Sequence, residues 1–263
     1  NGEATIRECL DSLLRQEYPS DKYEIIVVDN GSADQTPLVV ANFKTERIVL
    51  LQERTKRNSD AARNFGIRRA RGDICAFIDA DCVADKLWLK KLSAYFLDSI
   101  IGGIGGDILA HSPETMIEQY QEERNVFSLK VAQKGPWGFF PLTGNAAYRK
   151  DIFYDVGFFC DCLKAGAEYE FAKRCKVKTS YKIVSAADVI VYHHHCRQLS
   201  QLWAQRYRYG YGAAQLVSVD PSLRSLLRIE SPFLYFIPGF LYFFMHWVQN
   251  LLIFLFKKRK IIF

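Results

Sequence analysis

Two aspartates, Asp79 and Asp81, close the apolar run ICAFIDAD. Carboxylate oxygens suit Mg2+ and Mn2+, which often keep waters and substrate phosphates in their remaining positions. An acid pair at the end of a buried strand is therefore placed to hold a divalent cation against a diphosphate. The spacing alone equally describes turn or capping acids, so position decides. Asp29 closes EIIVVD in the same way. Arg63, upstream of the pair, carries a guanidinium suited to an anion. GAEYE brings Glu168 and Glu170, carboxylates able to take a proton from a hydroxyl. DVIVYHHH ends in His193, His194 and His195. On a strand His193 and His195 share a face, and either could complete a manganese shell.

The elements that must carry these residues follow from apolar spacing. Residues 4–17 put Ile6, Leu10, Leu13 and Leu14 on one helical face. Residues 24–29, 47–52 and 74–81 read as buried strands, and helices are expected from Asp34, over 60–70 and over 85–97. This alternation predicts an α/β fold with a mixed, mostly parallel sheet and helices on both faces. Ligands of such sheets sit beyond the carboxyl ends of the strands, where Asp29, Asp79 and Asp81 fall. Further on, a Gly-rich strand is expected over 102–109, a helix over 114–131 and an aromatic loop over 135–145. A helix over 165–176, a strand over 188–195 and an Arg- and Tyr-rich helix over 199–213 follow. Trp137 and Phe139 are candidates for stacking on a sugar, or for core.

Composition sets the bounds. The chain has 263 residues and a net charge of +6. That excess suits a nucleotide or a lipid headgroup and is too weak and scattered to argue for nucleic acid. The 7 cysteines include no Cys-x-x-Cys pair and sit largely in apolar runs, which predicts reduced, buried thiols and a reducing compartment. Cys160 and Cys162 are the close pair, for which a metal or redox role is the alternative.

Four segments in order resemble the glycosyltransferase family 2 pattern on the GT-A fold: VDNGSADQT (28–36), ARNFGIRRARGDICAFIDAD (62–81), GAEYE (166–170) and QRYRYG (205–210). The resemblance runs from Asn1 to about Gly212. It implies an inverting transferase that moves a sugar from a nucleoside-diphosphate sugar, UDP most often, to a hydroxyl acceptor with Mn2+ or Mg2+. It implies donor binding by Asn1, Glu3, Asp29, Asn30, Arg63, Asp79, Gly144, Asn145, Arg206 and Arg208, with Gly144-Asn145 toward the acceptor side. It implies metal binding by Asp79 and Asp81, with His193 or His195 as added ligands. Glu168 falls where relatives carry an aspartate base, and Glu170 is the second choice. GAEYE departs from the usual Gly-Glu-Asp-x-Glu through Ala167-Glu168, and QRYRYG lacks the tryptophan of processive synthases. Arg206 and Arg208 are two apart on a helix and do not share a face, so at most one reaches a diphosphate. Family members open with a strand before the first helix, whereas this chain starts at the Asn, so a fragment or an upstream start is expected. A catalytically impaired sugar-nucleotide binder is the alternative; a nucleotidyltransferase would need a basic Gly-rich phosphate loop near the start.

From Pro232 to Phe256 no residue is charged, and KKRK follows. Eighteen helical residues after Pro238 would span about 27 Å, near the thickness of a bilayer core. The expected division is a catalytic domain over 1–225 and a membrane-associated segment over 231–263. Cytoplasmic sugar nucleotides and the basic tail point to the cytoplasmic face of a membrane, with a glycan or lipid-linked glycan acceptor. A single span would put the catalytic domain on the far side, so either Pro238-Gly239 breaks the segment into an in-plane or re-entrant helix, or further spans follow in a longer parent chain.

Overall fold

The apolar stripe near the start forms α1 (Ile6–Leu14), which buries Ile6, Cys9, Leu10 and Leu13. It is shorter at both ends than the stripe suggests. The computed structural model describes residues 1–124, 127–129, 138–220, 223 and 248. These fall into two units. One comprises Asn1–Ser112, Asn125–Cys162 and Ala167–His194; the other comprises Pro113–Arg124, Leu163–Gly166 and His195–Phe263.

In the first unit β1 (Ile25–Asp29) and β2 (Ile48–Gln52) pair in parallel, with Asp29 opposite Gln52. α2 (Thr36–Ala41) lies between them in sequence. α3 (Ser59–Ile67) starts at Asn58, whose side chain caps the N–H of Asp60. It packs on β1 so closely that a Cβ at Gly66 would stand 3.3 Å from Val28.

A second sheet contains β3 (Ile74–Ile78), β4 (Cys82–Ala84), β5 (Ile101–Ala110), β6 (Asn145–Arg149) and β7 (Lys182–His193). Their order is β3-β6-β5-β7-β4. β6 runs antiparallel to both β3 and β5, and β4 antiparallel to β7; β5 and β7 are parallel. The sheet is therefore mixed, and the expected parallel character is confined to β1–β2 and β5–β7. Apolar runs report burial, not direction, and NAAYR (145–149) carries no long apolar run to announce the strand that splits β3 from β5. β5 is glycine-rich because its neighbours crowd it: an added Cβ would meet Tyr181 at 2.5 Å from Gly102 and Asn145 at 2.3 Å from Gly106.

α4 (Trp88–Tyr95) covers part of this sheet. α6 (Lys150–Val156) and α7 (Ala167–Lys178) share an aromatic core of Phe77, Tyr148, Phe153, Phe159 and Phe171. The numbering leaves α5 for Met116–Arg124 of the second unit. There Tyr120 and Leu202 are buried together, α8 (Leu199–Val219) packs against Ala165 through Gly212, and Gln121 donates to the Cys196 carbonyl at 2.8 Å.

Two expectations are corrected. Cys160 and Cys162 form a disulfide, Cα to Cα 5.3 Å, so the thiols are not uniformly reduced. The spacing of Cys160 and Cys162 left a metal or redox role open without pointing to a bond between them. Cys9, Cys75, Cys82 and Cys175 are buried and free as expected. The strand expected over 188–195 begins earlier, at Lys182, and stops at His193. His194 and His195 lie beyond it, so strand alternation does not set their directions.

Among the described residues no helix is long and apolar enough to cross a membrane. The segment 231–263 lies outside them except for Val248, and Trp137 also lies outside.

Candidate active site

Helical spacing in α3 puts Asp60 and Arg63 on neighbouring turns of one face. Arg63 bonds Asp60 through Nη1 at 2.8 Å and Asp79, just past β3, through Nη2 at 3.1 Å. Its Nη1 also lies 4.0 Å from Oε1 of Glu168, in the first turn of α7. The Thr143 hydroxyl donates to that same Glu168 oxygen at 2.8 Å. Asn64, one residue after Arg63, donates to the Phe159 carbonyl at 2.8 Å and accepts the Phe159 N–H at 3.1 Å. That exchange pins α3 to the loop before α7. Gly144 leaves room at the cluster, since a Cβ there would stand 3.4 Å from Oδ2 of Asp79.

The charges do not balance. Arg63 faces three carboxylates, and Asp81 adds a fourth beside Asp79. Loss of hydration raises the Asp60 carboxyl to about 6; Arg63 opposes the rise, and Glu168 and Asp79 add to it. The Asp79 side chain keeps 45% of its surface accessible. The protein packed around it still pushes its carboxyl above the ordinary range, against Arg63 and with Asp81 and Glu168. Asp81 lies below that range: burial opposes this, but its contact with the His193 imidazole prevails. His193 Nε2 stands 3.6 Å from Oδ2 of Asp81. The surplus of carboxylates, with an imidazole at its edge, is a donor set that fits Mg2+ or Mn2+.

Asp29, at the end of β1, is 4% exposed. One of its oxygens accepts the Ser32 N–H at 3.0 Å. The other meets the Arg54 charge at 3.3 Å but has no hydrogen-bond donor among the described residues. Burial would raise this carboxyl, yet Ser32, Arg54 and Gly31 together hold it low. A buried anionic acceptor with an open lone pair suits an N–H donor on a ligand. Asn1 and Glu3 accept the N–H groups of Ala33 and Gln35, at 2.8 and 3.1 Å, and so shape the loop after Asp29. Asn30 donates to the carbonyls of Glu53 and Lys56.

The profile of glycosyl transferase family 2 matches residues 1–157. The chain belongs to glycosyl transferase family 2. It is 32% identical over 245 residues to the glycosyltransferase AglE of Haloferax volcanii, covering 92% of this chain and 78% of AglE. It is 33% identical over 182 residues to the poly(ribitol-phosphate) beta-N-acetylglucosaminyltransferase TarS of Staphylococcus aureus, covering 66% of this chain and 30% of TarS. Among solved structures, the mannosyltransferase PcManGT of Pyrobaculum calidifontis, in complex with GDP-Man and Mn2+, superposes with a TM-score of 0.64 at 22% identity. That match covers 91% of this chain and 64% of PcManGT. TarS residues 1–349 with UDP-GlcNAc superpose with a TM-score of 0.56 at 20% identity, over 82% of this chain and 64% of that one. The chain thus spans less than two thirds of both solved relatives. At these identities the structures establish the fold, which is GT-A-like.

Against this family frame, Arg63, Asp79, Asp81, Glu168 and His193 come together in the first unit. Asn145 does not join them. It is 1% exposed, its amide donates to the Asp107 and Val189 carbonyls, and its oxygen takes the Trp88 indole N–H. Its reading as a donor-binding group is corrected: the side chain ties β6 to β5, β7 and α4. Glu170 has both oxygens on Arg174, at 2.5 and 2.7 Å, and Arg174 also binds the carbonyls of Val156, Gly157 and Phe158. It braces the loop before α7. His195, Arg206 and Arg208 belong to the second unit. There His195 is buried, Arg206 has a buried Nε with no hydrogen bond among the described residues and a guanidinium pKa lowered by burial, and Arg208 is exposed beside Tyr209. Sequence reasoning missed Asp60 and Thr143. Asp60 had a signal, lying three residues before Arg63; Thr143 had none.

Proposed function

We propose that this family 2 protein transfers a sugar from a nucleoside-diphosphate sugar, UDP-linked in the first instance, to a hydroxyl of a glycan or lipid-linked glycan, with inversion. Work in polysaccharide, cell-envelope or glycolipid synthesis at the cytoplasmic face of a membrane fits the apolar tail and the sugar nucleotides. The observation that carries the reading is the joint placement of Arg63, Asp79 and Glu168. Arg63 lies 3.1 Å from Asp79 and 4.0 Å from Glu168, so one guanidinium adjoins both the metal-type carboxylate and the candidate base.

Asp29 accepts a ring N–H of the nucleobase on its open oxygen. Arg63, fixed by Asp60, lends its charge to the diphosphate. A divalent cation held by Asp79 and Asp81, with His193 beside them, would supply charge stabilisation to the departing nucleoside diphosphate. Glu168, oriented by Thr143, accepts the proton of the acceptor hydroxyl as its oxygen bonds to the anomeric carbon. The glycosidic bond to the diphosphate breaks on the opposite side, so a single displacement inverts the centre. Glu170 is held by Arg174, which leaves Glu168 as the base. The UDP-GlcNAc of the TarS complex and the GDP-Man and Mn2+ of the PcManGT complex support the donor class and the ion.

The test is release of nucleoside diphosphate from UDP-, GDP- and dTDP-sugars, with Mn2+ or with chelator. Glu168→Gln is expected to lower kcat by about 100-fold or more while UDP binding stays within about twofold. Full activity of Glu168→Gln, or no release from any donor, overturns the assignment.

A further inference from the structure

β5 and β7 run parallel, and their last paired residues are Ala110 and His193. The next residue of each strand is a histidine, so His111 and His194 emerge side by side. The His111 N–H donates to the His193 carbonyl at 2.9 Å and fixes that exit. α1 packs on β4, which borders β7, through the N–H of Ala84 donating to the Ser12 hydroxyl. This brings Glu8, in the first turn of α1, over both rings. Its Oε1 lies 3.3 Å from His111 Nε2 and its Oε2 lies 3.0 Å from His194 Nε2. The ring centroids are 4.2 Å apart. Two imidazoles thus aim the same nitrogen at one carboxylate.

One ligand atom from each of the three residues lies within 4.8 Å of the other two. A tetrahedral ion with bonds near 2.0–2.1 Å needs ligand atoms about 3.3 Å apart. The 3.3 and 3.0 Å carboxylate–imidazole separations are made by the two different oxygens of Glu8, so an ion bound through one of them needs the farther ring to swing toward that oxygen. The side chains can make that move, being 45%, 27% and 28% exposed at Glu8, His111 and His194. Two imidazoles and one carboxylate, with a fourth position open to water, form a set that favours Zn2+ over Mg2+ or Mn2+.

We propose that Glu8, His111 and His194 form a second metal site, selective for Zn2+, that clamps α1 to the ends of β5 and β7. It shares no ligand with the carboxylate cluster of Asp79 and Asp81. The link between them is the His194 backbone N–H, which donates to the Asp81 carbonyl at 2.8 Å. A zinc ion at His194 therefore steadies the backbone that presents Asp81. The proposal stands whether or not the sugar-transfer reading does.

The experiment uses metal-free full-length chain and the Asp79→Asn/Asp81→Asn double variant, in which the carboxylate pair is removed. Each is titrated with Zn2+ against a chromophoric chelator and with Co2+ by visible absorption. The aspartate variant is expected to take one equivalent of Zn2+ with Kd below about 10 µM, and the parent that equivalent together with any held by Asp79, Asp81 and His193, so the histidine and Glu8 substitutions are compared in the aspartate variant. The Co2+ spectrum should be that of nitrogen and oxygen ligands, without thiolate charge-transfer bands. His111→Ala/His194→Ala is expected to weaken binding at least 100-fold, and Glu8→Gln at least tenfold. Zn2+ should raise the Tm of the parent and of the aspartate variant but not of the histidine variant. His111→Gln/His194→Gln, checked by circular dichroism, replaces the alanine pair if that pair does not fold. Unchanged binding in the histidine variants, thiolate bands, or no binding in the aspartate variant overturns the proposal.

Discussion

Asp60 is a buried carboxylate 2.8 Å from the Arg63 guanidinium, and its titration is a handle on the site. Burial raises its carboxyl to about 6 from an ordinary 3.8. The folded chain then holds the proton more tightly than the unfolded chain. The resulting stability is fully present below about pH 4 and is lost as pH rises through 6. Two units correspond to at most about 3 kcal/mol. Asp60→Asn cannot ionise, so its Tm relative to the parent should move in the variant's favour between pH 4.5 and 7.5. Parallel Tm curves would show that Asp60 is not titrating there. The constant offset between the curves is a separate quantity, because Arg63 loses its 2.8 Å partner in the variant. At this scale the sequence was most legible where a charged residue ends a strand or opens a helix, as with Asp29, Asp79, Asp81 and Glu168. It failed at Asn145 and Glu170. Residue type and spacing say what a side chain can do, and the partners Trp88 and Arg174 decide what it does.

At the scale of elements, apolar periodicity located α1, α3, β1, β2 and β3 to within a few residues, because each buries one face or both. It overlooked β4 and β6. Both are short, and β6 owes its place to neighbours on each side rather than to a run of its own. The glycines of β5 were legible as a strand, but the reason for them was not. A Cβ at Gly106 would meet the Val189 carbonyl at 2.4 Å and the Asn145 amide at 2.3 Å. Neither can yield: the first is backbone, and the second is held by Trp88 and by the Asp107 carbonyl. Gly106→Ala should therefore cost about 1–3 kcal/mol or more in urea unfolding. Gly210, inside α8, has nothing within 4 Å of its added Cβ. Gly210→Ala should instead stabilise by about 0.5–1 kcal/mol, since alanine loses less backbone freedom in a helix. Equal effects of the two substitutions would remove crowding as the reason for the glycine-rich strand.

For the molecule as a whole, the α/β class was legible and the strand order was not, because direction and adjacency are settled by contacts far apart in sequence. Ile78 pairs with Asn145 and Ala110 with His193, and no local pattern encodes either. The association with a membrane rests on composition alone. The run from Pro232 to Phe256 carries no charge and ends at KKRK. A basic cluster favours the cytoplasmic side. A simple span would then put the residues before it on the far side, away from cytoplasmic sugar nucleotides. A segment interrupted at Pro238-Gly239 and lying in the interface, or further spans in a longer chain, would each avoid that conflict, and the two differ in how they leave a membrane. Full-length chain should sediment with vesicles containing anionic lipid, and a chain ending at Ser231 should stay in the supernatant. An interfacial segment should be released in part by high salt and wholly by alkaline carbonate, whereas a span resists both. Equal partition of the two chains would exclude the tail as an anchor, and carbonate resistance would exclude the in-plane arrangement.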